Sequence, residues 1–145
     1  MRIEPSDVIK CPRRTVWDYE SDPTHLSTYY PRFVDFQFTS PPPLGVGSTA
    51  RARLKVGPAR IPVTVRWTDW VEYETNTWRN DDNSLPVVQT ATYSDVDGGT
   101  RVTWHAELMP RNPVESVIAR WLGPWMAREQ VASWARLKAV LEQPA

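Results

Sequence analysis

The sequence predicts an α+β domain: antiparallel strands joined by short turns, two short helices near the N-terminus, and one terminal helix left to cover a face of the sheet. Three observations predict it. Between residues 33 and 109, β-type segments alternate in phase and are separated by proline- and glycine-rich turns. After Asn112 the apolar residues change to helical spacing. Between the first short strand and the rest, Pro12 and Asp22-Pro23 punctuate two short helical stretches.

The elements follow in order. Residues 6–9 make the first strand, limited by Pro5. Residues 12–19 make a short helix with Pro12 in its first turn and Val16 and Trp17 as its buried face. Asp22 caps a second helical turn through Leu26 and Tyr29, with Pro23 as its first residue, and Pro31 stops it. Residues 33–39 alternate, with Val34, Phe36 and Phe38 against Asp35 and Gln37. Pro41-Pro42-Pro43 and Gly45-Val46-Gly47 end that strand. Residues 49–56 place Ala50, Ala52, Leu54 and Val56 on one face and Arg51, Arg53 and Lys55 on the other. After the Gly57-Pro58 turn, residues 62–70 place Val63, Val65 and Trp67 opposite Thr64, Arg66 and Thr68. Residues 75–79 form a short strand centred on Trp78, and residues 80–84 a polar loop. Residues 87–93 form a strand, and Asp97-Gly98-Gly99 a hairpin turn. Residues 100–109 follow, with Val102, Trp104, Ala106 and Leu108 inward and Arg101, Thr103, His105 and Glu107 outward.

The terminal helix opens on Asn112 as N-cap, Pro113 as first helical residue and Glu115 three after the cap. Val114, Val117, Ile118, Trp121 and Trp125 form one apolar stripe; Val131, Trp134, Leu137 and Leu141 form a second. At ~100° per residue the two stripes lie on opposite sides. Gly123-Pro124 lies between them, so the sequence predicts a break or strong kink there.

Composition narrows the function. The chain has 145 residues, one domain over 1–145, with 41% apolar and 23% charged residues, a globular balance. Lys plus Arg equals Asp plus Glu at 17 each, which argues against a nucleic-acid or anionic-membrane binder. The one cysteine, Cys11, excludes an intrachain disulfide. The N-terminus lacks the apolar core of a signal peptide, and no apolar run approaches the ~18 residues of a membrane helix. No membrane insertion and a reducing cytoplasm are expected. Eight tryptophans and 14 prolines are the unusual counts; the prolines punctuate, and the tryptophans can fill a core or line a pocket.

The sequence resembles the SRPBCC superfamily, which includes START lipid-transfer domains, pollen-allergen-like proteins and polyketide cyclases. The resemblance rests on Cys11-Pro12 through Val16-Trp17-Asp18, Asp22-Pro23, Val46-Gly47-Ser48-Thr49, Val71-Glu72-Tyr73-Glu74, the run from Gly98 to Thr103, and the run from Leu137 to Glu142. It spans nearly the whole chain. It implies a helix-grip fold, a curved antiparallel sheet of about seven strands wrapped on a long C-terminal helix, with an apolar pocket between them. It further implies that Tyr30 and Phe33 lie near the pocket beside the second helix, that Trp78, Val87, Gln89, Ala91 and Tyr93 face inward on the middle strands, and that Trp104 does so on the last. Such cyclases carry a pocket arginine on the strand at 62–70; here the apolar alternation turns Arg66 outward, against cyclase chemistry.

Other chemistry has simpler readings. His25, His105 and Cys11 have no ligand spacing, so no metal and no cofactor are expected. His25 reads as a surface histidine, and His105 as a partner in charge pairing on the outer face with Arg101 and Glu107. Arg51, Arg53 and Arg66 read as an ordinary solvated stripe. Cys11 has no acid–histidine set to make it a nucleophile. Trp67, Trp78, Trp104, Trp121 and Trp125, with Tyr30, Phe33, Gln89 and Tyr93, are the expected ligand-binding residues; each tryptophan can equally fill the core. Tyr30, Tyr93 and Asp69 are the candidate proton-transfer groups. The expected function is binding of a hydrophobic, aromatic or polyketide-like small molecule as carrier or sensor. The alternative is a polyketide cyclase or dehydratase acting on a bound chain, and a third reading is a regulatory, antitoxin-type partner protein. The sequence leaves the oligomeric state open.

Overall fold

The computed structural model describes residues 1–82 and 84–142; Asn83, within the polar loop expected at 80–84, lies outside the described residues. The strands are β1 (Arg2–Ile3), β2 (Ser6–Ile9), β3 (Phe33–Phe38), β4 (Thr49–Val56), β5 (Ala59–Val71), β6 (Thr75–Asn80), β7 (Val87–Val96) and β8 (Gly99–Leu108). The helices are α1 (Arg13–Ser21), a 3₁₀ turn (Pro23–His25), α2 (Leu26–Tyr29) and α3 (Pro113–Leu141). All eight strands form one antiparallel sheet in the order β1-β8-β7-β6-β5-β4-β3. β2 pairs with β8 beyond β1, so the N-terminal edge strand is one line interrupted at Glu4-Pro5. Pro5 has no N–H to donate to a ladder, which explains the interruption.

The expected helix starts are present. Asp22 accepts from the backbone N–H of Thr24, and Asn112 from that of Glu115, so one orphan donor at each start is satisfied. α1 buries Val16 and Trp17 as its spacing requires. They join Ile9, Tyr93, Val102, Trp104, Ala106, Leu108, Trp134 and Leu137 in one core under α1 and α3. Full burial of each such side chain contributes about 1.5–3 kcal/mol.

Two expectations about strand phase need correction. In β3, Val34 pairs with outward Arg53 while Phe33 pairs with Leu54 and Phe38 with Ala50. A bulge lies between Val34 and Gln37, where Asp35 has φ +56°. One extra residue therefore moves Val34 out and leaves Phe33 and Phe38 inside. In β5, a second bulge lies between Trp67 and Asp69. Trp67 pairs with Trp78 and Trp70 with Asn76, both inward, but Asp69 pairs with outward Thr77. Asp69, expected to point inward, faces away.

The expected break at Gly123-Pro124 is also absent. α3 runs continuously from Pro113 to Leu141 with Pro124 inside it. The reason is that the first of the two stripes is not its buried face, whereas Trp134 and Leu137 of the second are buried. Ala119, Gly123, Ser133, Trp134 and Leu137 are buried, while Val114, Val117, Ile118 and Trp121 are exposed. One face therefore serves the whole length. Arg120 and Pro124 are both exposed, so the carbonyl four residues before the proline is left to water. A Cβ at Gly123 would collide with the Met1 side chain; glycine lets the N-terminal strand approach the helix.

The tail of α3 is tied to the start of the chain. Lys138 Nζ donates to Asp7 Oδ1 at 2.7 Å. The Cys11 thiol donates to the Leu141 carbonyl, and the Lys10 N–H to Glu142 Oε2. α3 thus packs on β1, β2 and β8 at one end of the sheet and against α2.

Candidate ligand groove

The inner face of the sheet can be traced across the register. Tyr93, Ala91, Gln89 and Val87 lie opposite Val102, Trp104, Ala106 and Leu108. Trp78 lies opposite Gln89, Trp67 opposite Trp78, Val65 opposite Ala50, and Val63 opposite Ala52. Arg66 pairs with Arg79 on the outer face and contacts Asp81 at 3.1 Å, as the apolar alternation requires. The β8 end of this face is closed by α1 and α3, and its residues are buried. Away from it, Leu54, Val63, Val65, Trp67, Asn76, Trp78 and Gln89 are only half-buried. They make up the part of the inner face that α1 and α3 leave uncovered, the floor of the candidate groove.

Aromatic rings run along that groove in edge and tilted contacts. Phe38 and Trp67 have centroids 5.7 Å apart, Trp67 and Trp78 6.4 Å, and Trp67 and Trp70 6.1 Å. Trp70 then meets Trp17, and Trp17 meets Tyr93 at 5.3 Å. The Trp67 indole N–H donates to Asn76 Oδ1, which fixes its ring. The bulge in β5 puts Trp67 and Trp70 on one face although they are three residues apart. Tyr30 and Phe33 pack together at 4.9 Å. Beside them the Arg32 guanidinium lies over the Trp125 ring at 5.6 Å and contacts Glu129 at 3.1 Å. Burial, aided by the nearby Glu129 charge, pushes the Tyr30 phenol above its ordinary value.

The structure separates the expected site residues into groups. Trp67, Trp78 and Gln89 share the groove floor; Tyr30 and Phe33 form one aromatic cluster, with Trp125 under Arg32. Trp104, 4% exposed, lies in the closed core, and its buried indole Nε1 has no partner among the described residues. Trp121 is a correction: it is 78% exposed, on the side of α3 away from the sheet. Asp69 lies on the outer face, as described above. His25 stacks on Tyr19 at 4.0 Å, and His105 Nδ1 contacts Glu4 at 2.6 Å on the outer face. Burial and the Glu142 charge push the Cys11 thiol up, away from the reactive thiolate. Among the described residues no three His, Cys, Asp or Glu side chains are placed to hold a metal, and no helix is long and apolar enough to cross a membrane.

One residue enters that sequence reasoning missed. Glu20, on α1, turns its carboxyl inward. Oε2 accepts from the Tyr93 hydroxyl at 2.8 Å, and Oε1 is buried without a partner among the described residues. Burial raises the carboxyl to about 7, and the Tyr93 hydrogen bond offsets only part of this. The Tyr29 hydroxyl donates to the Glu20 carbonyl. Tyr93 is itself held well above its ordinary value by burial and by Glu20. The signal was present: Glu20 follows Val16 by four and Trp17 by three, on the buried face of α1.

Comparison with known proteins agrees with this architecture. A family profile described as polyketide cyclase / dehydrase and lipid transport matches residues 1–142. No curated protein matches the sequence. Among solved structures, the Zhui aromatase/cyclase from Streptomyces sp. R1128 is 13% identical with a TM-score of 0.76, covering 98% of this chain and 93% of that one. A protein from Thermus thermophilus is 14% identical with a TM-score of 0.76, covering 96% and 95%. The protein Ara h 8.0201 is 12% identical with a TM-score of 0.65, covering 91% and 97%. At these identities the likeness is one of fold, and the fold is the helix grip.

Proposed function

From its membership of the polyketide cyclase / dehydrase and lipid transport family, to which this chain belongs, we propose that it binds a hydrophobic, aromatic or polyketide-like small molecule in the groove, as carrier or sensor. The observation that carries this reading is the row of half-buried rings Phe38, Trp67 and Trp78 on an otherwise apolar floor. A folded domain has little reason to leave such rings accessible unless something covers them. A flat ligand stacking there removes about 200 Å² of apolar surface from water, a gross gain of about 5 kcal/mol. Gln89 and the Asn76 carbonyl side chain beside Trp67 supply the few polar contacts that orient it. Tyr30, Phe33 and Trp125 supply further rings from α2, β3 and α3, and Trp104 packs the closed end of the same sheet face. The balanced charge fits a neutral ligand and no nucleic acid; the single thiol fits the cytoplasm.

The test is quenching of tryptophan emission by a tricyclic anthraquinone. Saturable one-to-one quenching is expected. No saturation up to about 100 µM, a binding free energy weaker than about 5.5 kcal/mol, overturns the reading.

Glu20 favours a second reading, the cyclase or dehydratase. A carboxyl titrating at about 7 beside a phenol can take and return a proton near neutral pH. In that case the bound chain enters the closed end, where unpartnered Glu20 Oε1 removes a proton next to a ketone and the Tyr93 hydroxyl turns from Glu20 Oε2 to donate to the developing enolate oxygen. Turnover of a linear poly-β-ketone mimic should fall about 10²-fold or more in Glu20→Gln and Tyr93→Phe. An inactive parent leaves the carrier.

A further inference from the structure

Asn76 is out of place on the inner face. It lies on β6 with its side chain inward, between Trp70 across on β5 and Ala91 across on β7. Asparagine is a poor strand former, and here it stands among rings. The Trp67 indole N–H donates to Asn76 Oδ1 at 3.2 Å. An indole N–H can only donate, so this contact fixes which end of the carboxamide is oxygen. Trp67 is held in turn by the bordering rings of Phe38, Trp70 and Trp78. Serving Trp67 does not by itself account for the asparagine, because Trp67 is half-buried and water in the groove can accept its N–H. Asn76 is half-buried as well, and its amino group, on the other side of the planar carboxamide, has no partner among the described residues. The side chain across from it on β7, the methyl of Ala91, offers none.

We propose that Asn76 is a specificity-determining residue of the groove, which reads a hydrogen-bond acceptor on the bound ligand, a ketone or quinone oxygen, through the amino group that Trp67 holds in place. The inference rests on the groove reading and deepens it. A carboxamide free to flip turns oxygen or nitrogen to a ligand as required and discriminates little. Here a flip breaks the Trp67 hydrogen bond and sets donor against donor. Asn76 therefore offers the groove donors only. A ligand carbonyl satisfies them. A methylene at the same place leaves them unmet once the ligand has displaced water, and a ligand N–H adds a second unmet donor. Gln89, opposite Trp78 on β7, has no such anchor. It can turn either end to the ligand, so it adds affinity without this selectivity.

Equilibrium dialysis of the full chain against 9-fluorenone, fluorene and carbazole tests this, at about pH 8 so that an introduced aspartate is ionised. The three probes share one tricyclic skeleton and carry a carbonyl, a methylene and an N–H at the same position. The parent should bind fluorenone about fivefold or more tighter than fluorene, and carbazole most weakly. Asn76→Asp keeps an oxygen for the Trp67 N–H and puts a carboxylate oxygen where the amino group stands. It should reverse the order, with fluorenone weakened about tenfold, carbazole strengthened by a similar factor and fluorene unchanged within about threefold. Asn76→Ala, which carries no charge, should bring the three within about twofold of one another. Circular dichroism should be unchanged in both variants. A parent that binds all three probes alike overturns the inference and leaves the groove reading standing. An order unaltered in both variants overturns it too, as does a preference lost in Gln89→Met but kept in Asn76→Asp. No saturable binding of any probe overturns the inference and the groove reading together.

Discussion

Glu20 sets the pH response of the molecule. Its carboxyl sits near 7 in the folded chain against an ordinary 4.5, raised first by burial. Below about 4.5 both folded and unfolded chains hold the proton and the full contribution is present. As pH rises from 4.5 to 7 the unfolded chain gives up its proton first, so stability falls; above 7 the loss is complete. The size is about 3 kcal/mol. Glu20→Gln cannot ionise. Urea unfolding at pH 4.5, 6 and 8 should show the parent declining relative to Glu20→Gln across that window, and parallel curves would refute the buried carboxyl. Asp69 gives the opposite expectation. Because the bulge turns it outward beside Thr77, Asp69→Asn should leave anthraquinone affinity within about twofold, read by the same quenching titration. The contrast shows what single residues reveal in a sequence. Glu20 was legible from its place three and four after Trp17 and Val16. Asp69 was misread because alternation from Trp67 assumes a regular strand.

Regular elements are where the sequence is most informative, since periodicity, proline and caps act locally. The phases of β4 and β8 follow from alternation alone, that of β7 was implied by the resemblance, and Arg66 turns outward as expected. β3 and β5 depart because a bulge adds one residue and inverts every side chain after it. No residue type in Phe33–Phe38 or Thr68–Asp69 announces that insertion. In α3 the reason is different. Side-chain size points to the first large apolar stripe as the buried face of the N-terminal half, whereas that half buries the small residues Ala119 and Gly123, the latter against the Met1 side chain. The continuous helix carries a prediction. Pro124 lacks the N–H that would bond the Arg120 carbonyl, and both residues are exposed. Pro124→Ala should therefore restore one hydrogen bond without repacking and raise stability by about 1–3 kcal/mol in urea unfolding. The 222 nm ellipticity should stay constant. A gain in helicity would mean that the proline had divided α3.

The whole molecule is a sheet closed at the β8 end and open at the other, and this asymmetry separates residues that hold the fold from residues that hold a ligand. Trp104 and Trp67 test it, since both are inward tryptophans on the same face. Trp104 lies in the closed core. Removing its ring leaves a cavity under packed neighbours that cannot collapse, at a cost of about 3–5 kcal/mol. Trp67 is half-buried, bordered by Phe38, Trp70 and Trp78 and by the groove. Its loss exposes a hollow to water instead of sealing a void, and it removes a face on which a flat ligand stacks. Ligand binding raises folding stability by about 2.7 kcal/mol when the ligand is at 100 times its dissociation constant. For a chain of this size that moves the thermal midpoint up by about 5–10 °C. The parent should show that rise with saturating anthraquinone. Trp104→Ala should melt well below the parent yet show nearly the same rise, because its groove is intact while folded. Trp67→Ala should melt closer to the parent yet lose most of the rise, with affinity down about tenfold or more. If the two variants exchange these behaviours, the ligand enters the closed end beneath α3, and Glu20 and Tyr93 become its walls in place of the open floor.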